Sequence, residues 1–195
     1  MKLLVGLGNP GHTYNETRHN SGFAVIQWLA QRHQVAIGTR VLSRLDGRPA
    51  GVYGDYALGQ ETVRLLMPLT MMNESGEALR ELPAGAQDVL ILCDDVHLPL
   101  GAIRLRPEGG AGGHHGLQSC LDVLGTEAVP RLRIGVAANP LPRDLTEFVL
   151  SKFTSAERPL MHQAIAQAAE AAEAWATEGL EAAMNRYNRT QDAPT

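Results

Sequence analysis

The chain has 195 residues, 44% of them apolar and 19% charged, which suffices for one sizeable core and is short for two. Its formal net charge of -4 speaks against a generically basic nucleic-acid binder, so any contact with phosphates must come from local positive charge. No run of about 18 apolar residues and no charged-then-apolar leader occurs, so a soluble, cytoplasmic protein without a membrane partner is expected.

Leu3 to Leu7 reads as an apolar strand that runs into a tight Gly8-Asn9-Pro10-Gly11 turn and a polar stretch with Asn9, Tyr14, Asn15, Arg18 and His19. A buried strand feeding such a loop makes a rigid scaffold with a polar mouth. Gly6, Gly8 and Gly11 satisfy G-x-G-x-x-G, but Pro10 and HTYNETRH keep the turn from opening directly into a helix. The segment LAQRHQVAIGTRV at 29 to 41 also lacks the acid that would hold a ribose, so dinucleotide binding is not expected.

Asn15, Thr17 or Asn20 is placed to cap a helix running to about His33, with Phe23, Ile26, Leu29 and Ala30 at helical spacing. Three strand-like runs follow, at 38 to 45, 50 to 58 and 62 to 67, split by Asp46-Gly47 and Gly59-Gln60. Consecutive strands without helices imply antiparallel pairing. A short helix from Asn73, Glu74 or Ser75 to about Glu81 is stopped by Pro83. Val89 to Cys93 reads as a strand buried on both faces, with Asp94 and Asp95 at its carboxyl end, where open α/β sheets place ligands.

Ala102 to Leu105 is expected as a strand, Leu117 to Leu124 as a helix entered from a glycine-rich loop, and Leu132 to Ala138 as a strand. From Ser155 or Glu157 to about Asn185 an alanine-rich amphipathic surface helix is expected, broken at Gly179, with Arg186 and Arg189 in its last turns. The order predicts an α/β single domain, a mixed twisted β-sheet flanked by helices, over residues 1–190, with a frayed tail at 191–195.

Among the groups able to do chemistry, His19 stands out as a candidate base, because imidazole has a reference pKa of about 6.5 and can take a proton from water near neutrality. Taken alone, a histidine is read first as a cap or core residue. Asp94 suits a carboxylate that fixes a histidine's tautomer, or a strand-end turn acid. Asn9 and Asn73 carry amides that both donate and accept, which suits holding a water or an ester carbonyl. Positive charge gathers in one third of the chain, at Arg104, Arg106, Arg131, Arg133 and Arg143, and Arg104, Arg106 and Arg133 are candidate phosphate contacts. The loop EGGAGGHHG at 108 to 116 is either a flexible loop or a lid or RNA contact with backbone N–H groups near the next helix start. His114-His115 and Asp94-Asp95-x-His97 offer metal ligands without a metal-binding spacing, so no metal is expected. Cys93 and Cys120 read as buried thiols in a reducing compartment rather than a disulfide, and Cys93, at the end of an apolar strand, does not suit a nucleophile.

Four blocks carry a resemblance: VGLGNPG with Tyr14 and TRHNSGF, LMPLTMMNESG at 66 to 76, LCDDVHLPLG at 92 to 101, and GGAGGHHGLQS at 109 to 119 followed by RLRIGV. In this order they resemble the bacterial-type peptidyl-tRNA hydrolase family along about the whole chain. The resemblance implies a monomeric, cofactor-free enzyme that cleaves the ester between a peptide and the 3′ end of tRNA, with peptidyl-tRNA as its partner. It implies that Asp94 rather than Asp95 partners His19, that Asn9 recognises the peptide part, and that Tyr14, Met71 and Asn73 line the site for the tRNA end. Three positions depart from the family pattern: Met71 where an aromatic is common, His115 where asparagine is usual, and His97 where an acid is usual. Met71 and His115 are the support for an alternative, a non-catalytic RNA-binding paralogue. A third reading, a small-molecule nucleotide binder, rests on the glycine loops.

Overall fold

Residues of the central strands in this chain alternate between two apolar layers rather than between core and water. Leu4, Leu90, Leu92, Leu132 and Ile134 face one cluster, and Leu3, Val5, Val89, Ile91 and Cys93 face the other. Strands covered on both faces read as continuous apolar runs, which is the physical origin of that signal at 3–7 and 89–93. The computed structural model describes residues 1–82 and 84–188, so the expected helix stop at Pro83, Arg189, the boundary at 190 and the tail at 191–195 lie outside the described residues.

The strands are β1 (Lys2–Gly6), β2 (Thr39–Leu42), β3 (Pro49–Leu58), β4 (Glu61–Pro68), β5 (Val89–Pro99), β6 (Ile103–Arg106) and β7 (Arg131–Ala137). They form a mixed sheet of order β2-β3-β4-β1-β5-β7-β6. Its centre, β4-β1-β5-β7, is parallel, while β2-β3-β4 and β6-β7 pair antiparallel, as expected for the run without helices. Helix α1 (Ser21–Arg32), α5 (Arg158–Glu178) and α6 (Leu180–Tyr187) cover one face, and α2 (Glu77–Arg80) and α3 (His115–Leu124) the other. A further short helix, α4 (Leu145–Leu150), stands beyond the end of β7.

Two elements differ from expectation. The long alanine-rich segment is broken at Gly179 as expected, and α5 lies on the sheet as an amphipathic helix with His162, Gln163 and Glu170 exposed on its outer side. Ala164, Ala168, Ala169, Ala171, Ala172 and Trp175 are buried in the core, because small side chains let the helix press closely on the sheet. Strand β5 does not stop at Cys93 but continues to Pro99, since β7 goes on pairing with Asp94 and Asp95 through Ile134 and Gly135. Helix α4 was not anticipated at all.

The strand lengths create the site. β1 ends at Gly6 opposite Leu92, so Asp94 and Asp95 extend past its end and are paired on the β7 side alone. The chain leaves β1 toward α1 and strands β2 to β4 on one side, and leaves β5 toward α3 and β7 on the other. This divergence opens a crevice at the carboxyl ends of the two central strands, the usual ligand position of an open α/β sheet. Helix α1 docks on that exit through a glycine: a Cβ at Gly22 would stand 2.3 Å from the Leu92 carbonyl oxygen and 2.5 Å from the Leu7 nitrogen. Only backbone is in the way, so no side chain can give. Gly22→Ala is expected to cost about 3 kcal/mol of stability in urea unfolding. Gly38→Ala, whose Cβ would meet nothing within 4 Å, is the control expected to stay within about 0.5 kcal/mol.

Candidate functional site

The polar loop after β1 is held rigid by its own amides. Asn20 sits at the N-cap position of α1, but its side chain does not cap the helix. Its Oδ1 accepts the Asn9 N–H at 2.9 Å and its Nδ2 donates to the Asn9 carbonyl at 3.0 Å. The Ser21 hydroxyl closes the turn onto the Arg18 carbonyl at 2.7 Å. His19 stands in the 3-10 turn Arg18–Asn20 between these ties and lines a cleft of about 440 Å³ in the crevice.

Across the cleft, Asp94 is buried, and its Oδ1 meets two imidazoles: His19 Nδ1 at 2.9 Å and His114 Nε2 at 3.0 Å. Burial pushes the Asp94 carboxyl up, but the two histidines outweigh it and hold it well below the usual carboxylate range. An ionised carboxylate only accepts hydrogen bonds, so both ring nitrogens facing it donate. For His114 this is over-determined, because its Nδ1 accepts the Leu117 N–H at 3.2 Å at the start of α3. For His19 the consequence is that Nδ1 carries the proton and Nε2 keeps a lone pair, on a ring that lines the cleft. The His19 and His114 rings lie 4.9 Å apart between centroids.

Asn9 is oriented as firmly. Its Oδ1 accepts the Met72 N–H at 2.8 Å, which leaves its Nδ2 as the amide's donor to the cleft that Asn9 lines. Through its carbonyl oxygen the amide thus holds the 3-10 turn Met72–Glu74. That turn presents Met71 and Asn73, both exposed, to the same cleft, and Tyr14, half-buried, and His115, exposed at the first position of α3, complete the rim.

The arginines divide. Arg133 lines the cleft and pairs with Asp95 Oδ2 at 2.6 Å, and Asp95 Oδ1 accepts the His97 N–H at 2.8 Å. Arg104 is registered opposite Arg133 and Arg106 opposite Arg131 on the β6–β7 ladder, but neither Arg104 nor Arg106 lines the cleft. Arg131 is buried and donates to the carbonyls of Gly109, Glu127 and Val129 at 2.6, 3.2 and 2.8 Å. It therefore anchors the glycine-rich loop, which correspondingly presents Gly112 and Gly113 to the cleft at φ of 58° and 85°.

Two parts of the site escape sequence reasoning. In the sequence His114 offers only a metal ligand without a metal-binding spacing, and nothing local says that its ring reaches a carboxylate on β5. Helix α4 supplies Leu145, Thr146, Val149 and Leu150 to the cleft wall. Its signal was present in the cap, since Asp144 Oδ1 accepts the Glu147 N–H at 2.9 Å, an acid three residues ahead of a carboxylate at a helix start. His19, Asp94 and His114 bring donor atoms within 4.8 Å of one another, a spacing open to a metal ion. Those atoms are engaged with each other, and the His114 nitrogen in question carries a proton, so the set fits a hydrogen-bonded triad better. Burial pushes the Cys93 thiol up, and Cys120 up to about 12, which leaves both as inert core groups.

The depressed Asp94 pKa has a stability consequence of definite sign. A carboxyl lowered on folding contributes stability that is complete above the unfolded value, about pH 3.9, and is lost as pH falls through the folded value. The stability gap between wild type and Asp94→Asn in urea titrations is expected to be widest above about pH 5 and to close progressively below about pH 4.

Comparison with known proteins adds the following. A family model described as peptidyl-tRNA hydrolase matches residues 3–195. A peptidyl-tRNA hydrolase from Syntrophomonas wolfei is 43% identical over 192 residues, covering 96% of this chain and 100% of that protein. One from Synechococcus sp. is 44% identical over 193 residues, covering 96% and 83%. The crystal structure of peptidyl-tRNA hydrolase from Acinetobacter baumannii is similar with a TM-score of 0.82 at 33% identity, covering 96% of this chain and 94% of that one.

Proposed function

The chain belongs to the peptidyl-tRNA hydrolase family, hydrolases of the ester bond of peptidyl-tRNA, and on that premise we propose that His19 is the general base and Asp94 its anchor. The observation that carries this reading is the 2.9 Å contact between His19 Nδ1 and Asp94 Oδ1, which leaves Nε2 as the basic nitrogen of a ring in the cleft.

In the proposed reaction, His19 Nε2 takes a proton from a water as the water oxygen attacks the ester carbonyl carbon. The tetrahedral intermediate collapses by breaking the bond to the ribose 3′ oxygen, and that oxygen takes the proton back from His19 Nε2. The new carboxyl group of the peptide loses its remaining proton to solvent, and the tRNA leaves with a free hydroxyl. Asp94 stabilises the imidazolium that forms between the two steps, and His114, bound to the same carboxylate oxygen, keeps Asp94 in place. Asn9, with its acceptor held by Met72, offers its amide N–H groups to the acyl part of the substrate, and Asn73 joins it from the neighbouring turn. Tyr14, Met71 and His115 receive the terminal nucleotide at the rim, and Arg133 meets a phosphate there, with Arg104 and Arg106 extending positive charge along the β6–β7 edge. No residue role requires a second copy of the chain, and we read it as a monomer working in the cytoplasm, where the substrate arises. Among the described residues no helix is long and apolar enough to cross a membrane.

The intact His19–Asp94 pair supports catalysis over an RNA-binding paralogue, and so do the relatives, which are named hydrolases. The test is hydrolysis of an N-acyl-aminoacyl-tRNA. His19→Ala and Asp94→Asn are expected to lose about 10²- to 10⁴-fold in kcat while remaining folded, the usual contribution of a positioned general base. Wild-type-like turnover in either variant, or tight RNA binding by the wild type without ester cleavage, overturns the assignment. Asn9→Asp keeps the acceptor for Met72 but removes the donors, and is expected to lower kcat/KM about tenfold or more, on the order of one hydrogen bond to substrate.

A further inference from the structure

Arg18 is the neighbour of His19 in the chain, yet its side chain runs beneath α4 instead of into the cleft. It is nearly sealed, with 5% of the side chain exposed, and its Nη2 spans the two Glu157 carboxylate oxygens at 2.9 and 2.7 Å. Nε reaches the Ser151 hydroxyl at 3.3 Å, and the Arg18 backbone N–H donates to the Ser151 carbonyl at 3.0 Å. The guanidinium lies over two rings, 4.4 Å from the Phe148 centroid and 4.8 Å from that of Phe153. An isolated antiparallel bridge, Thr17 to Lys152, continues the same seam.

Helix α4 cannot hold itself. It has six residues, too few for a stable isolated helix, and Phe148 is its one buried residue. That single anchor rests on the Arg18 guanidinium, while Leu145, Thr146, Val149 and Leu150 turn to the cleft. Glu157 in turn is fixed where α5 begins, accepting the N–H and hydroxyl of Thr154 at 2.8 and 2.9 Å. A guanidinium suits such a seat, because Nη2 holds the carboxylate, Nε meets the Ser151 hydroxyl, and the flat faces pack on aromatic rings at once.

We propose that Arg18, clamped by Glu157, is a positioning residue that seats α4 over the cleft and thereby sets the apolar wall that the substrate meets. It acts on substrate binding and not on the proton transfer at His19. The proposal rests on the reading of this cleft as the peptidyl-tRNA site.

The experiment is steady-state hydrolysis of N-acyl-aminoacyl-tRNA with Glu157→Gln and Phe148→Leu, together with hydrogen exchange of the amides at 148 and 151. Glu157→Gln keeps an oxygen for Thr154 but loses the charge that holds Arg18. Phe148→Leu leaves the ion pair intact and removes the ring. Both are expected to raise KM about fivefold or more with kcat within about twofold, and to speed exchange in α4 while α1 amides stay protected. A fall in kcat at constant KM overturns the proposal, since the clamp would then act through His19. So does faster α4 exchange with unchanged KM, or a lowered melting temperature with neither change. If Glu157→Gln does not fold, the Phe148→Leu result decides alone. His19→Ala in the same assay separates the two levels: if it remains active the assignment of the base fails, whereas an inactive His19→Ala with unmoved KM in the clamp variants refutes the clamp only.

Discussion

A carboxylate taken out of water costs several kcal/mol unless other groups replace its hydration, and at Asp94 two imidazole N–H groups converge on one oxygen to do so. The three partners come from three separate segments: the loop before α1, the central strand β5, and the turn before α3. Each must be in place for the other two to be satisfied. Much of the architecture around the cleft can be understood as meeting that requirement. Gly22 lets α1 dock against the end of β1 and so delivers His19, β5 outruns β1 so that Asp94 faces the crevice, and the start of α3 fixes His114 in one tautomer. The basic nitrogen of His19 is a by-product of this arrangement, because the carboxylate claims the other one.

The arginines of this net acidic chain are sorted by burial. Arg18 and Arg131 are interior props, one beneath α4 and one inside the glycine-rich loop, and their charge is spent on a carboxylate or on carbonyls. Arg133 alone of the three expected phosphate contacts reaches the cleft, with Arg104 and Arg106 beside it on the edge of the sheet. Identical residue types only a few positions apart thus have opposite uses. The alternation of side chains along a strand and the depth of the surrounding layer decide between them.

The fold was legible where a local pattern had a local cause. Both-face burial shows as apolar runs at β1 and β5, a two-residue turn at Gly59-Gln60 separates β3 from β4, and Gly179 with φ of 90° breaks the last helix where its sequence position indicates. Legibility failed where the cause was tertiary. The extension of β5 depends on β7, 40 residues away, which no pattern local to β5 announces. Helix α4 is six residues long and lacks a repeating pattern, so its cap was the sole local sign of it.

The amino-acid sequence by itself determined the α/β class, the apolar strands that bracket the site, and the polar residues at their ends, His19, Asp94, Asn9 and Asn73, because those follow from short-range spacing and from motifs kept in order. Only the tertiary structure decided that His114 shares the carboxylate of Asp94, that Asn9 presents donors alone, that Arg131 is a prop and Arg133 a cleft residue, and that α4 rests on Arg18. The reason is that hydrogen bonds and ion pairs have a reach of about 3 Å in space and no memory of distance along the chain. Which donor meets which acceptor is settled only when the layers have packed.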